Sequence, residues 1–444
     1  MKNILVLGAG MVSRPLVQYM LNQPNYKVKV ASRTVKKAEE LICKHPGGEA
    51  QKFDITTDAP DLDGLVLNSD LVVSLLPYTY HVQVANLCIK HRKHMITTSY
   101  VSADMQALDK KAKDADIIIL NEIGLDPGID HMSAMKIIHK VQNEGGDIIS
   151  FSSYCGALPA PEASTNPFGY KFSWSPRGVV LASKNAARYL KDGKEVDIPG
   201  EKLFENYTIK NIEGVGDFED YPNRNSLPYI DIYGIKKTKT MYRGTLRNIG
   251  WCETLRKIVE LGLLDDTVID NLKGLTYQSL IRKLINCKEG LDLKDEIAKY
   301  LRIEKYSAVM KRLEWLGLLS DEPLPIQKGS PLDILSARLL EKLQYAPNER
   351  DMIVLHHDFI AEKGGKKEKI TSTLVDFGIP GGDSAVARTV SIPAAIGGKL
   401  ILEGKIKSRG VCIPVLPEIY EPVLKELEGF GIKLSEKSKA IVQS

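Results

Sequence analysis

An apolar run at residues 3–7 breaks into Gly8-Ala9-Gly10-Met11-Val12-Ser13 and is followed by apolar positions at Leu16, Tyr19 and Met20, which share one helical face. Strand, glycine turn and helix in that order leave few folds open to the start of the chain. Gly8 permits a tight turn, Gly10 lets the backbone approach a pyrophosphate, and the amino end of the helix offers amide donors and a positive dipole. Ser13 stands where this fingerprint has Gly or Ala, and is small enough for close packing of helix on strand. The second strand, 27–31, ends at Ser32-Arg33-Thr34, where NAD binders place an acid on the ribose hydroxyls. No acid is present, and a guanidinium pairs well with a 2′-phosphate through its parallel donors, so the expected cofactor is NADP.

Strands at 50–53, 71–74, 94–97 and 117–120 alternate with helical patterns at 81–90 and 103–115. Six strands in this arrangement predict an α/β fold with a Rossmann-type doubly wound parallel sheet, whose ligands bind beyond the carboxyl ends of the strands. Pro77, Ser99, Tyr100 and Asp126 all fall on that edge. The sixth strand runs into Asn121-Glu122-Ile123-Gly124-Leu125-Asp126-Pro127-Gly128-Ile129-Asp130-His131, and a helix with apolar positions at Met132, Met135, Ile138 and Val141 follows. Asp126 reads as the N-cap of that helix, Pro127 as part of its first turn, and Asp130 as a charge at its positive end. Two roles are open to Asp126: capping the helix, or facing whatever the sheet binds.

A chain of 444 residues holds about two to four domains. Its net charge of +4 and the absence of a basic run interleaved with aromatics argue against a nucleic-acid surface, so small-molecule partners are expected. No stretch approaches the roughly 18 consecutive apolar residues of a membrane span, and the first strand starts too early for a signal peptide; a cytoplasmic protein without membrane association is expected. The six cysteines are scattered without a C-x-x-C pair and read as reduced thiols. His91, His94, His356 and His357 lack ligand-spaced partners, so no metal site is expected.

After the strand pattern at 147–154, a Pro-, Gly- and aromatic-rich segment from Cys155 to Gly178 is too long for structureless filler. Residues 221–226 read as a turn carrying the cation Arg224, residues 265–346 as helical, and 352–360 with 369–375 as a hairpin closed by Gly364-Gly365. The expected domains are 1–125 for the cofactor, with about 384–444 packing back on it, 126–264 with 347–383 as an α/β mixed-sheet domain, and 265–346 as a small all-α insertion.

The glycine turn, Ser32-Arg33-Thr34, Leu76-Pro77-Tyr78, Thr98-Ser99-Tyr100, residues 121–131, Ser153-Tyr154-Cys155-Gly156, Leu158-Pro159-Ala160-Pro161-Glu162, residues 169–178, Tyr221-Pro222-Asn223-Arg224 and Arg243-Gly244-Thr245-Leu246-Arg247 together resemble the saccharopine dehydrogenase family. The likeness extends over essentially the full length. It implies reversible conversion of L-saccharopine, NADP and water to L-glutamate, 2-aminoadipate 6-semialdehyde and NADPH, by hydride transfer at an imine carbon, in a homodimer of the lysine aminoadipate pathway. By the same resemblance Asp126, Tyr100 and Cys155 are the titratable groups near the reacting nitrogen, and Ser99, Tyr100, Asp126, Arg224, Thr245, Leu246 and Arg247 hold the substrate. NADP is assigned to Gly8, Ala9, Gly10, Met11, Val12, Ser13, Ser32, Arg33, Thr34, Asp54, Ile55, Leu76, Pro77, Thr98, Ser99, Leu125, Asp126 and Ser175. The rival readings are a related imine-reducing enzyme, such as a carboxynorspermidine dehydrogenase, and a regulator that binds NADP without turnover.

Overall fold

The structure is a computed structural model that describes residues 1–174, 179 and 185–441. The chain divides into two compact units, one of Met1–Ile149, Asp231–Lys237 and His357–Ser444, the other of Ser150–Ile230 and Thr238–His356. These borders differ from the three-part division read from the sequence: the helix after residue 128 groups with the cofactor unit, and residues 265–346 group with the mixed sheet.

The first unit is built on β1 (Lys2–Leu7), β2 (Tyr26–Ser32), β3 (Gly48–Lys52), β4 (Leu71–Ser74), β5 (His94–Ile96) and β6 (Ile118–Leu120). Between them run α1 (Arg14–Leu21), α2 (Val35–Ile42), α3 (Asp61–Leu67), α4 (His81–His91), α5 (Ala103–Gln106) and α6 (Asp109–Asp114). A seventh strand, β15 (Gly410–Cys412), reaches the sheet from far along the chain and pairs in parallel with β6, giving the order β15-β6-β5-β4-β1-β2-β3. Every neighbouring pair is parallel. The strand order reverses between β1 and β4, and at such a switch point the loops beyond the strands part to leave a crevice for ligand. A parallel sheet covered on both faces needs strands apolar throughout; β4 reads Leu71-Val72-Val73-Ser74 and is buried at every position.

The same unit contains α7 (Ile129–Asn143), α14 (Ala385–Leu402), which packs on α1, and α15 (Pro417–Glu428), which packs on α7 and α14. By length and composition α14 could cross a bilayer, yet 78% of it is buried inside the protein. Gly397 and Gly398 explain how it lies so close to the sheet: a Cβ at Gly398 would meet Leu71 Cδ2 at 2.9 Å and Met20 Cε at 2.6 Å.

The second unit centres on a mixed sheet. Its strands run β10 (Thr208–Ile212), β11 (Gly216–Pro222), β12 (Thr240–Arg247), β7 (Asp147–Pro159), β13 (Asp351–Lys363), with β8 (Ala187–Lys191) and β9 (Lys194–Ile198) as a side hairpin on β12. The later part of β13 lies in the first unit with β14 (Lys366–Phe377) and β16 (Ser435–Ile441), an antiparallel pair. Helix α8 (Pro228–Ile232) follows β11. Helices α9 (Trp251–Glu260), α10 (Tyr277–Leu284), α11 (Leu293–Leu301), α12 (Ala308–Trp315) and α13 (Pro331–Lys342) share an aliphatic and aromatic core including Leu255, Ile281, Ile297, Leu313 and Leu335. Thr276, Asp292, Ser307 and Ser330 each accept a backbone N–H three residues on, so side-chain caps set the starts of α10 to α13.

Candidate functional site

The glycine turn leaves β1 as a tight loop. Gly8 has φ +108°, and a Cβ there would lie 2.9 Å from Leu75 O, so only glycine fits. Gly10 is exposed, and a Cβ at that position would have nothing within 4 Å, which leaves the backbone open to a ligand. Ser13 does more than pack: its Oγ accepts from Gly10 N–H at 3.0 Å and donates to Gly8 O at 3.3 Å, pinning the loop from inside. Arg33 is exposed just past β2. Beyond β3, the Asp54 carboxylate accepts from the Thr56 N–H (3.0 Å) and hydroxyl (2.7 Å); these bonds, with some help from the Arg33 charge, hold it below the usual carboxylate range. Ile55 and Leu125 are buried, whereas Pro77 is exposed and Leu76 and Thr98 are half-buried. An open glycine loop at a helix start, with a guanidinium past the neighbouring strand, suits a dinucleotide bearing a 2′-phosphate. Ser175 lies outside the described residues.

The loop after β6 departs from the sequence reading. Helix α7 begins at Ile129 with Gly128 as its N-cap, so Asp126 is not the cap and Pro127 stands before the first turn, joined to Asp126 by a cis peptide bond. The physical reason is local: Gly128 has φ +149°, and its Cβ would strike Gly124, so the chain folds back on itself before the helix starts. Asp130 binds the Gly128 N–H at 2.5 Å. Asp126, released from capping, accepts a hydrogen bond from the Tyr100 hydroxyl at 2.8 Å, and both side chains are half-buried.

Tyr100 is held from both sides. Glu122 donates its N–H to Ser99 O (3.2 Å) and accepts the Val101 N–H on Oε1 (2.9 Å). Its other oxygen lies 2.7 Å from His131 Nε2, and His131 Nδ1 lies 2.5 Å from the Tyr233 hydroxyl. Glu122 and His131 are buried, so their pairing is what makes a carboxylate tolerable there. The sequence pattern assigns neither a role, because nothing in it shows that the turn folds them inward.

In the second unit, strand register sets Cys155 on β7 beside Thr245 on β12, and Thr245 beside Tyr221 on β11. Arg247 lies two residues on, on the same face of β12. Its guanidinium is buried against the rings of Tyr170 (5.1 Å), Trp251 (5.6 Å) and Tyr221 (5.9 Å). Nη1 donates to Leu246 O at 2.8 Å, while Nε has no hydrogen-bond partner among the described residues. Nor does any carboxylate among them form an ion pair with Arg247. A buried cation so placed is ready for an anionic ligand. Leu246, assigned to the substrate, turns its side chain to the opposite face and is wholly buried, leaving only its backbone for such a role. Arg224 is exposed on the turn after β11, its carbonyl accepting the Arg188 N–H.

The histidines singled out in the sequence have structural partners: His91 with Asp63 (3.0 Å), His94 with the Ile118 N–H, and His357 with Ser133 (2.8 Å). Among the described residues, no group of three His, Cys, Asp or Glu side chains is placed to hold a metal ion.

Residues 4–120 match the family described as saccharopine dehydrogenase NADP binding domain, and residues 124–432 the saccharopine dehydrogenase C-terminal domain. The chain is 42% identical to the NADP-dependent, L-glutamate-forming saccharopine dehydrogenase of Pyricularia oryzae, over 98% of this chain and 99% of that protein. It is 41% identical to the Saccharomyces cerevisiae protein of the same name, over 99% and 100%. The apo structure of the Saccharomyces cerevisiae L-Glu-forming enzyme superposes with a TM-score of 0.89 at 40% identity, covering 99% of this chain and all of that one.

Proposed function

The chain belongs to the saccharopine dehydrogenase family, and from that premise we propose that it is the NADP-dependent, L-glutamate-forming enzyme, an oxidoreductase of lysine metabolism. Saccharopine is oxidised at the CH2 carbon that joins its secondary amine to the 2-aminoadipate side, losing a hydride from that carbon and a proton from nitrogen, and water then cleaves the imine to glutamate and 2-aminoadipate 6-semialdehyde. The observation that carries this reading is full-length identity of about 40% to enzymes so named.

The cofactor is held by the glycine turn from Gly8 to Ser13, by Ser32, Arg33 and Thr34, and by the loops bearing Asp54, Leu76, Pro77, Thr98, Ser99 and Leu125. NADP supplies the hydride acceptor. The protein's own groups orient and move protons. Asp126, bonded to Tyr100 at 2.8 Å, binds the substrate ammonium or relays its proton, directly or through a water, and Tyr100 donates toward the same centre. Arg247 and Arg224 take substrate carboxylates, with Thr245 and the Leu246 backbone alongside. Cys155, buried beside Thr245, is the third titratable group of the set. The active form is a homodimer, and the protein is cytoplasmic, in keeping with six cysteines that form no disulfide.

The test is steady-state turnover of L-saccharopine with NADP and with NAD, followed by absorbance of the reduced nicotinamide. Turnover favouring NADP is expected. A protein that binds NADP yet reduces none of it with saccharopine is a regulator, and one that turns over carboxynorspermidine instead is the rival imine reductase.

A further inference from the structure

One imidazole ties together the carboxyl ends of β4 and β5. His81, the first residue of α4, is 4% exposed. Its Nδ1 lies 2.9 Å from the hydroxyl of Ser74, the last residue of β4, and its Nε2 lies 2.9 Å from Ser99 Oγ and 3.1 Å from Thr97 Oγ1. Ser74 and Thr97 are buried, while Ser99 is half-buried. The rest of Ser99 is fixed too: its N–H donates to Thr97 Oγ1 (3.3 Å) and its carbonyl accepts from Glu122 N–H (3.2 Å).

We propose that His81 is a positioning residue for the reaction, acting through Ser99 by fixing the direction in which that hydroxyl meets the bound ligands. The proposal rests on the assignment of Ser99 to the cofactor and substrate made above. A serine side chain has three staggered positions about χ1, and where the backbone permits more than one, a partner at the hydroxyl selects among them. His81 is that partner, and it is itself fixed from the far side by Ser74. Burial pushes the imidazole down to about 4, so around neutral pH it is uncharged, with one nitrogen a donor and the other an acceptor. It holds an orientation and does not exchange protons during turnover.

The test is a double-mutant cycle on kcat/KM for saccharopine, built from His81→Phe, Ser99→Ala and their combination, with His81→Gln alongside. Phe fills the space without a polar atom, whereas the Gln amide reaches toward the place of Nε2. Each single change is expected to lower kcat/KM by about tenfold, with the double variant no worse than Ser99→Ala. His81→Gln should recover most of the loss, and the pH profile should keep its shape. Losses that multiply to about a hundredfold in the double variant, a Ser99→Ala enzyme equal to wild type, or a His81→Phe enzyme that only melts earlier while turning over normally would each overturn the proposal. Should His81→Phe fail to fold, His81→Leu, which also lacks a polar atom, takes its place in the cycle. Absence of saccharopine turnover in the wild-type protein strikes at the proposed reaction; wild-type turnover with multiplying losses strikes at His81 alone.

Discussion

Each unit of this molecule holds an aspartate that accepts a hydrogen bond from a tyrosine, and the two pairs have opposite surroundings. Asp126 binds the Tyr100 hydroxyl at 2.8 Å and is half-buried on the loop beyond β6. Asp220, on β11, binds the Tyr242 hydroxyl at 2.7 Å, yet it is 3% exposed and its Oδ1 has no partner among the described residues. That oxygen sits over Gly244, where a Cβ would come within 1.9 Å, so the strand must be glycine at this point. Burial drives the Asp220 carboxyl up to about 7. The same two side chains thus make a reachable polar pair at a sheet edge and a sealed one within a sheet. Composition does not separate them; access does.

The contrast is sharpest in turnover. Asp126→Asn should lower kcat by about 10³-fold while leaving NADP affinity within about twofold, measured by steady-state kinetics and cofactor titration. Asp220→Asn should leave kcat near wild type, and an equal loss in both variants would mean that access does not separate the two pairs.

Stability gives the next largest effect. Because the folded-state value of Asp220 lies above its unfolded value of 3.8, the folded protein binds more protons between the two, and stability falls as pH rises from about 4 through 7. Asp220→Asn removes this loss, so at pH 8 it should be more stable than wild type by up to about 4 kcal/mol, with the gain shrinking toward pH 4. All three tryptophans, Trp174, Trp251 and Trp315, belong to the second unit, so denaturant unfolding followed by their fluorescence reports on it.

His81 has the opposite sign. Its folded value lies below the unfolded one of 6.5, so the unfolded chain takes up the proton first and stability falls as pH drops from 6.5 to about 4. The loss attributable to this group is about 3 kcal/mol and should be missing from His81→Phe. Hydrogen exchange of β4 and β5 across that range checks it. If both units weaken in the same direction with pH, burial of Asp220 and His81 does not set these stabilities.

The smallest effect concerns a side chain with little burial at all. Arg33→Ala should weaken NADP binding by about tenfold and leave NAD binding nearly unchanged; equal losses for both would remove the basis for cofactor preference.

Sequence periodicity is a record of burial within one element, and it serves well where an element is long or punctuated. The glycine turn of Gly8 and Gly10, the alternation of β1 to β6, and the helical character of residues 265–346 are all legible. β15 is not: three residues, Gly410–Cys412, carry no period, and only the partner strand β6 makes them a strand. At the site, residue types and spacing pointed to the loops after β4, β5 and β6. They misplaced Asp126 as a cap, because the fold-back at Gly128 delays the helix by a turn's start and no pattern in the chain announces it. His81 and Glu122 escaped notice for a related reason. A single polar residue on a helical or loop pattern looks solvated until tertiary contacts enclose it.

The late arrival of β15 bears on how the protein is made. A ribosome that has released residues 1–149 has delivered six strands of the parallel sheet, but β6 still presents a bare row of peptide groups, and α14, which covers α1, is hundreds of residues away from synthesis. Such an edge invites pairing with other nascent chains. The parallel sheet therefore closes only once Gly410–Cys412 has followed, and cutting the chain before Gly410 would bare the β6 edge and harm solubility at a site remote from the cut in sequence.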